Sequence, residues 1–176
     1  MDGSKVEDVK QFIVVLIALI YFPTISPAAD AKPKPNAVEV KVLEAQLPHD
    51  ESKRAKFLWD TFANKPAEKQ FSSYTTEHWK DNFELFSMAL IAKANKQKLD
   101  SVSLRKALAL VLKHSQDKIA YLPVGAYQTT LDGKLVWIIT VKWEYSPEES
   151  NNELDHIRMF AFDQKSLEQV AFETCM

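Results

Sequence analysis

The chain is poor in cysteine and glycine, and its positive and negative charges nearly cancel. It has 176 residues with one cysteine, Cys175, three glycines and a formal net charge of −2. A lone thiol forms no disulfide within the chain, which excludes a disulfide-stapled scaffold. A net charge this small produces no long-range field that would attract nucleic acid or an acidic membrane, so we expect no nucleic-acid partner.

Apolar residues, by contrast, are plentiful. They make up 46% of the chain, against 26% charged residues, a balance that fills a hydrophobic core and differs from that of disordered chains. The length fits one domain. No catalytic, metal-ligand or nucleotide-binding pattern stands out, so the sequence predicts a protein that is not an enzyme and has no cofactor.

A long hydrophobic run lies near the N-terminus, at residues 12–22 (FIVVLIALIYF). As a helix it would cover roughly 16 Å, about half of a bilayer core. This is the length of the apolar region of a signal peptide, and small residues follow Pro23. We therefore expect residues 1–31 to be a signal peptide that is cleaved after Ala28 or Ala31. The mature chain would be exported, periplasmic or secreted, with no stable membrane span.

The residues before this run are unusually acidic for a signal peptide. Three acids and two lysines stand there, whereas this region is normally positive. Translation that begins at Val9 rather than Met1 would remove all three acids. Peptide mapping of the N-terminus of the uncleaved precursor distinguishes the two starts.

The rest of the chain is predicted to be one domain that a short leader precedes. Residues 32–37 (KPKPNA) are predicted to be extended, because alternating prolines stiffen the chain. Residues 38–176 are predicted to form a single α+β domain. Its first part, 38–100, is mainly helical, and its second part, 101–176, is a helix followed by an antiparallel sheet.

Hydrophobic residues at helical spacing predict three helices, and a period-two pattern at 38–42 predicts a short strand. The helices span 51–64, 76–96 and 102–114. Asp50 is expected to cap the first helix, and Asp100 or Ser101 the third. The predicted buried stripes are Ala55, Leu58, Trp59 and Phe62 in the first helix, Trp79, Phe83, Phe86, Leu90 and Ala94 in the second, and Leu104, Leu108, Val111 and Leu112 in the third.

From residue 119 onward the hydrophobic period changes to two, which predicts strands. They span 119–130, 135–145, 155–162 and 167–174. The Asp132-Gly133 pair between the first two is a strong signal for a tight hairpin turn. The fold class is therefore α+β, with helices followed by a four-stranded antiparallel meander that packs on a helix.

Residues 102–175 resemble PepSY-type and related cystatin-like small domains of exported bacterial proteins. The matching segments are the helix SLRKALALVLK, a strand ending in VGAY, a strand containing WIITVKWE, and the closing hairpin IRMFAFDQKSLEQVAF. The glycine usual in the family's last turn is absent, and the segment LPVG at 122–125 lacks the glutamine of a cystatin inhibitory loop. The resemblance implies a binding or inhibitory module, sometimes linked to the control of peptidases, with no catalytic residues.

One face of the predicted sheet is apolar where water would be expected. An antiparallel sheet covered on one side normally turns polar residues outward. Either the first helices cover this face, or it is a surface for a partner or ligand. The residues of this candidate interaction surface are Val136, Ile138, Thr140, Ile157 and Met159.

Two functions agree with these patterns. The first is an exported, non-enzymatic binding module that engages an unknown protein or small ligand. The alternative is an NTF2-like domain, in which a curved sheet closes around a pocket that binds or acts on a small ligand. Such a pocket needs inward polar groups, whereas the predicted inward stripes are apolar. Cys175 is a candidate for an intermolecular disulfide, which would make the protein a homodimer.

Overall fold

The computed structural model describes most of the predicted domain. The described residues are 34–63, 71, 74–115, 118–145 and 152–175. The predicted signal peptide lies outside them. Of the predicted leader, Pro35–Ala37 form one turn of 3-10 helix instead of extended chain. A proline at the first helical position has the backbone angle that such a turn needs, which explains the difference.

Within these ranges the chain forms three helices: α1, Glu51–Phe62; α2, Trp79–Lys96; and α3, Ser101–His114. Both predicted caps are confirmed. The Asp50 side chain accepts a hydrogen bond from the backbone N–H of Lys53, and Asp100 accepts two at the start of α3. Each cap satisfies amide donors that have no partner within the helix.

The same ranges contain five strands: β1, Glu39–Val42; β2, Ile119–Leu131; β3, Lys134–Tyr145; β4, His156–Asp163; and β5, Gln169–Cys175. They form one sheet in the order β1-β2-β3-β4-β5. Neighbours from β2 to β5 are antiparallel.

The α+β class is confirmed, but the sheet is mixed and five-stranded, not four-stranded and wholly antiparallel. The difference is β1, which pairs with β2 in parallel, with Val40 opposite Ala126. The sequence predicted the strand and not its partner. A parallel pair requires a long crossover, here the whole segment that holds α1 to α3, and no local pattern reports such a pairing.

The tight turn between β2 and β3 is as predicted. Asp132 and Gly133 have φ angles of 51° and 76°, both in the left-handed region that a two-residue type I′ hairpin requires. Leu131 pairs with Lys134 across it. The turn sets the register from Leu131 to Gly125, and an irregularity between Pro123 and Gly125 shifts the register beyond that point.

The sheet has helices on both faces. On one face, α2 and α3 cover the inward stripe of β3, formed by Trp137, Ile139, Val141 and Trp143. We call this the α2–α3 face. The indole N–H of Trp137 donates to Ser103 Oγ at 2.8 Å and ties α3 to the sheet. On the other face, the α1 face, Leu58 and Phe62 pack on the opposite side of the sheet.

Two residues of the predicted buried stripes are exposed. Trp59 is 45% exposed and Leu112 is 38% exposed. In α1 only Leu58 and Phe62, one helical turn apart, are buried, so the contact with the sheet is narrower than the predicted stripe. Leu112 lies instead beside a groove between α2 and α3.

Candidate functional site

The predicted interaction surface is buried in the structure. None of its five residues is more than 5% exposed. All of them except Thr140, which is a buried polar residue, belong to the core cluster that Leu58 and Phe62 of α1 complete. An apolar sheet face left in water would forgo about 25 cal/mol for each Å² that could be buried, which is why α1 covers it. Two alternatives were predicted for this face, and the structure shows the first: a helix, α1, covers it. The five residues concerned are Val136, Ile138, Thr140, Ile157 and Met159.

Cys175 ends β5, where its backbone is paired with that of Ile157. Its side chain lies outside the described part of the chain. The proposed intermolecular disulfide, and the homodimer that it would hold together, therefore stay predictions. A reductant that halves the mass seen on a denaturing gel would support them, and unchanged mobility would contradict them.

A groove lies between α2 and α3, which pack against each other on one side of the sheet. Its volume is about 560 Å³, within the range of small-molecule sites. The apolar side chains that line it are Phe83 and Ile91 of α2 and Leu108, Ala109 and Leu112 of α3. We call this site the α2–α3 groove.

Ser87 gives the groove a polar group at depth. It lines the cavity and is only 8% exposed, yet its Oγ has no hydrogen-bond partner among the described residues. A buried hydroxyl without a partner costs about 1–3 kcal/mol. Structures rarely retain such a group without a reason, and a ligand that accepts its hydrogen bond would remove the cost.

Charged side chains of both signs also line the groove. Within the part of the chain that the structure describes, Asp81, Glu84, Arg105 and Lys113 form no ion pair. Lys80 stands among them, 5.6 Å above the ring of Trp79. Mixed charges around an apolar cleft do not select a charged ligand. They point to an apolar ligand body with a weakly polar or neutral head.

The groove has no arrangement that would activate a nucleophile. A serine acts as a nucleophile only when a neighbouring base takes its proton, and no described side chain is within hydrogen-bond reach of Ser87 Oγ. Sequence reasoning did not single out Ser87. The signal was a hydroxyl four residues after Phe83, on the apolar side of the helix.

A second cavity, of about 950 Å³, lies beside the turns that close the two hairpins. Its most buried acid is Asp163, which accepts backbone hydrogen bonds from Lys165 and Ser166. The Ser166 hydrogen bond is the main cause that holds the pKa of Asp163 below its usual value. This carboxylate is already used to build the turn, so the cavity offers less to a ligand than the α2–α3 groove.

Among the described residues there is neither a cluster of metal ligands nor a helix that could span a membrane. They contain no group of three or more His, Cys, Asp or Glu side chains arranged to hold a metal ion. No helix among them has both the length and the hydropathy needed to cross a bilayer. His49, for example, contacts a single acid: its Nδ1 lies 2.8 Å from Asp132 Oδ2 at the surface.

Comparison with known proteins gives no relative from which a function could be transferred. No family model matches the chain, and neither the curated proteins nor the solved structures contain a significant match. Function has to be argued from sites in any case, since one fold serves many functions. For this chain the α2–α3 groove is the site with the most definite chemistry.

Proposed function

We propose that this chain is an exported, non-enzymatic binding module whose α2–α3 groove holds a small amphipathic molecule. The observation that carries the proposal is the buried, unpartnered hydroxyl of Ser87 inside an apolar groove of about 560 Å³. The apolar body of the ligand contacts Phe83, Ile91 and Leu108. Its polar head accepts the Ser87 hydrogen bond.

Export rests on the apolar run at 12–22 and the small residues after it. The resemblance of residues 102–175 to PepSY-type domains supports the same address and a binding role without catalysis. N-terminal sequencing of the protein from its native host tests the address. A mature chain that begins at Ala29 or Lys32 supports export, and an intact N-terminus contradicts it.

An NTF2-like pocket is less well supported. It would lie between the sheet and the helices, and on the α2–α3 face that space is filled by fully buried aromatic side chains. The largest are Trp137, Trp143 and Tyr121. The free space is between the two helices instead, which favours the binding module.

Binding of decan-1-ol, a neutral amphipathic probe, tests the groove. The binding is measured by two-dimensional NMR of the backbone amides. We expect saturable shifts in α2 and α3. Ala109→Trp should abolish them, because Ala109 is exposed and lines the groove, so the indole fills the cavity from outside. Ala92→Trp is the matched control, since Ala92 is exposed on α2 and does not line the groove.

Ser87→Ala separates the hydroxyl from the shape of the groove. It should weaken decan-1-ol binding about fivefold, because one hydrogen bond is worth about 1 kcal/mol. It should leave the stability of the ligand-free protein equal or slightly higher, since a buried donor without a partner is removed. If Ala109→Trp binds like the wild type, the groove is not the site. If Ser87→Ala alone has no effect on binding, the role of the hydroxyl is refuted.

A further inference from the structure

Arg158 is a charged residue in a row of β4 that also holds Phe160 and Phe162. It lies on β4 with its side chain on the α2–α3 face, where its strand neighbours at the same spacing are His156 and Phe160. It is partly buried. Within the described ranges it forms no ion pair with a carboxylate. An arginine that is drawn out of water normally has an acidic partner, so a missing one needs an explanation.

Neutral groups hold the guanidinium in place. Its Cζ lies 3.8 Å from the ring centre of Trp143, a stacked cation–π arrangement. Its Nη1 donates to Tyr121 Oη at 2.5 Å, and its Nε donates to Thr174 Oγ1 at 3.3 Å. The charge is therefore positioned and oriented, and it is not neutralised.

Tyr121 does not supply the missing negative charge. Its ring is buried, and this burial raises the pKa of its hydroxyl above the usual value, although the nearby Arg158 acts in the opposite direction. The phenol is therefore neutral at neutral pH. It leaves the positive charge on Arg158 uncompensated.

The indole N–H of Trp143 is a second donor without a partner. Trp143 is 1% exposed, and its Nε1 has no hydrogen-bond acceptor among the described residues. This N–H belongs to the ring on which Arg158 stacks. Among the described residues, the guanidinium of Arg158 thus lacks a carboxylate partner, and the indole N–H of the ring beneath it lacks any acceptor.

Glu144, an acid on the neighbouring strand β3, is already engaged. Glu144 Oε2 lies 3.3 Å from His156 Nε2, and its Oε1 accepts the backbone N–H of Tyr145 at 2.8 Å. Phe172, on β5, is 41% exposed and lies 5.1 Å from Phe160, centre to centre. Phe172 therefore presents an exposed apolar ring on β5, the strand next to that of Arg158.

We propose that Arg158 and Trp143 form a second binding site, which takes the carboxylate of a small organic acid and contacts its apolar body through Phe172. The guanidinium matches the geometry of a carboxylate and supplies the charge. The indole N–H adds a second donor. The site is separate from the α2–α3 groove, because none of its residues lines that groove.

Benzoate is the probe, and the neutral, isosteric benzamide is its control. With the full protein we expect a saturable NMR shift of the Trp143 indole N–H with benzoate, and at least tenfold weaker binding of benzamide, because only the carboxylate pairs with Arg158. Arg158→Lys keeps the charge and loses the planar fork, so it should weaken benzoate at least tenfold. Lys96→Met, which removes an exposed positive charge elsewhere, should bind normally.

Trp143→Phe keeps a ring beneath Arg158 and removes only the N–H, and it remains informative if variants of Arg158 unfold. It should weaken benzoate binding severalfold. The binding is measured through the NMR signal of the Arg158 side-chain N–H. Equal binding of benzamide, equal binding of inorganic phosphate, or unchanged benzoate affinity in both Arg158→Lys and Trp143→Phe would overturn the proposal. Decan-1-ol binding in the groove should be the same in all these variants, so the two proposals fail independently.

Discussion

The two faces of the sheet are covered to different depths. On the α2–α3 face, α2 alone buries a seam of five apolar side chains, and α3 adds a second row behind it. On the α1 face a single helix buries two, Leu58 and Phe62. The seam of α2 consists of Trp79, Phe83, Phe86, Leu90 and Ala94.

This difference indicates where the molecule is most and least stable. Buried apolar area contributes in proportion to its extent, and segments with few buried contacts open at lower free energy than the rest. The α2–α3 face is therefore expected to hold the fold together. The α1 face is expected to be the first to open, although it covers the same central strands.

The largest effect is expected at the centre of the α2–α3 face. Trp137→Ala should destabilise the protein by about 4 kcal/mol, because it leaves a large cavity and removes the hydrogen bond to Ser103. Urea unfolding measures the change. Trp59→Ala is the matched control, since Trp59 is largely exposed on α1. Its free energy of unfolding should stay within about 0.5 kcal/mol of the wild-type value. Similar losses in both variants would contradict the assigned core.

Phe62→Ala probes the α1 face in the same way. Phe62 is buried and its ring lies 4.6 Å from that of Tyr127, so we expect a loss of about 3 kcal/mol. Hydrogen exchange should show that the amides of α1 lose more protection than those of α2. Equal loss in both helices would mean that the faces open together, and the comparison would fail.

Gly125→Ala tests how tightly the α1 face is packed. A Cβ at Gly125 would come within 2.6 Å of Thr140 Oγ1 and 2.7 Å of the Tyr127 ring. Such overpacking costs about 1–3 kcal/mol. Adding Thr140→Ala should recover part of this loss, so the two changes should be non-additive in a double-mutant cycle followed by urea unfolding. Simple additivity would show that the backbone moves instead.

The smallest expected effect concerns the caps, and it depends on pH. Asp100 caps α3, and the backbone hydrogen bond from Ser103 is the main cause that lowers the pKa of its carboxyl. Because the folded pKa is below the unfolded one, the unfolded state binds more protons as pH falls. The contribution of Asp100 is present above about pH 4 and is lost as pH falls through the lowered value.

Asp100→Ala should therefore cost about 1 kcal/mol at pH 7, and the difference from the wild type should shrink as the pH is lowered. Unfolding in urea at a series of pH values measures it. Asp50, the cap of α1, also has a lowered pKa, mainly because of a hydrogen bond from Ser52. A difference that grows as pH falls would contradict the role of Asp100 as a cap.

Local patterns predicted much of the fold because their physics is local. The seam of α2 follows from helical spacing, and the turn at Asp132-Gly133 follows from the φ angles that these residues tolerate. The alternation along β3 separates Trp137 from Val136 by the pleat alone. These predictions needed no knowledge of what lies on the other side of each element.

The candidate sites were not predicted, because each depends on what a side chain lacks. Ser87 and Trp143 are both buried, on the apolar sides of α2 and β3. Their interest comes from hydrogen bonds that no described neighbour makes. One signal was available for Arg158, since it is a charged residue in the inward row of β4, two residues before Phe160.

The sequence by itself determined the α+β class, the helix seams and caps, the hairpin turn and the two faces of β3, because spacing, capping and backbone angles act over a few residues. Tertiary structure alone decided the parallel pairing of β1 with β2, the choice of α1 as the cover of the second face, and the exposure of Leu112 beside a groove. It also left the Ser87 hydroxyl without a hydrogen-bond partner and Arg158 without a carboxylate partner among the described residues. These outcomes depend on which distant segments meet, and contacts between distant segments are set by the packing of the whole domain.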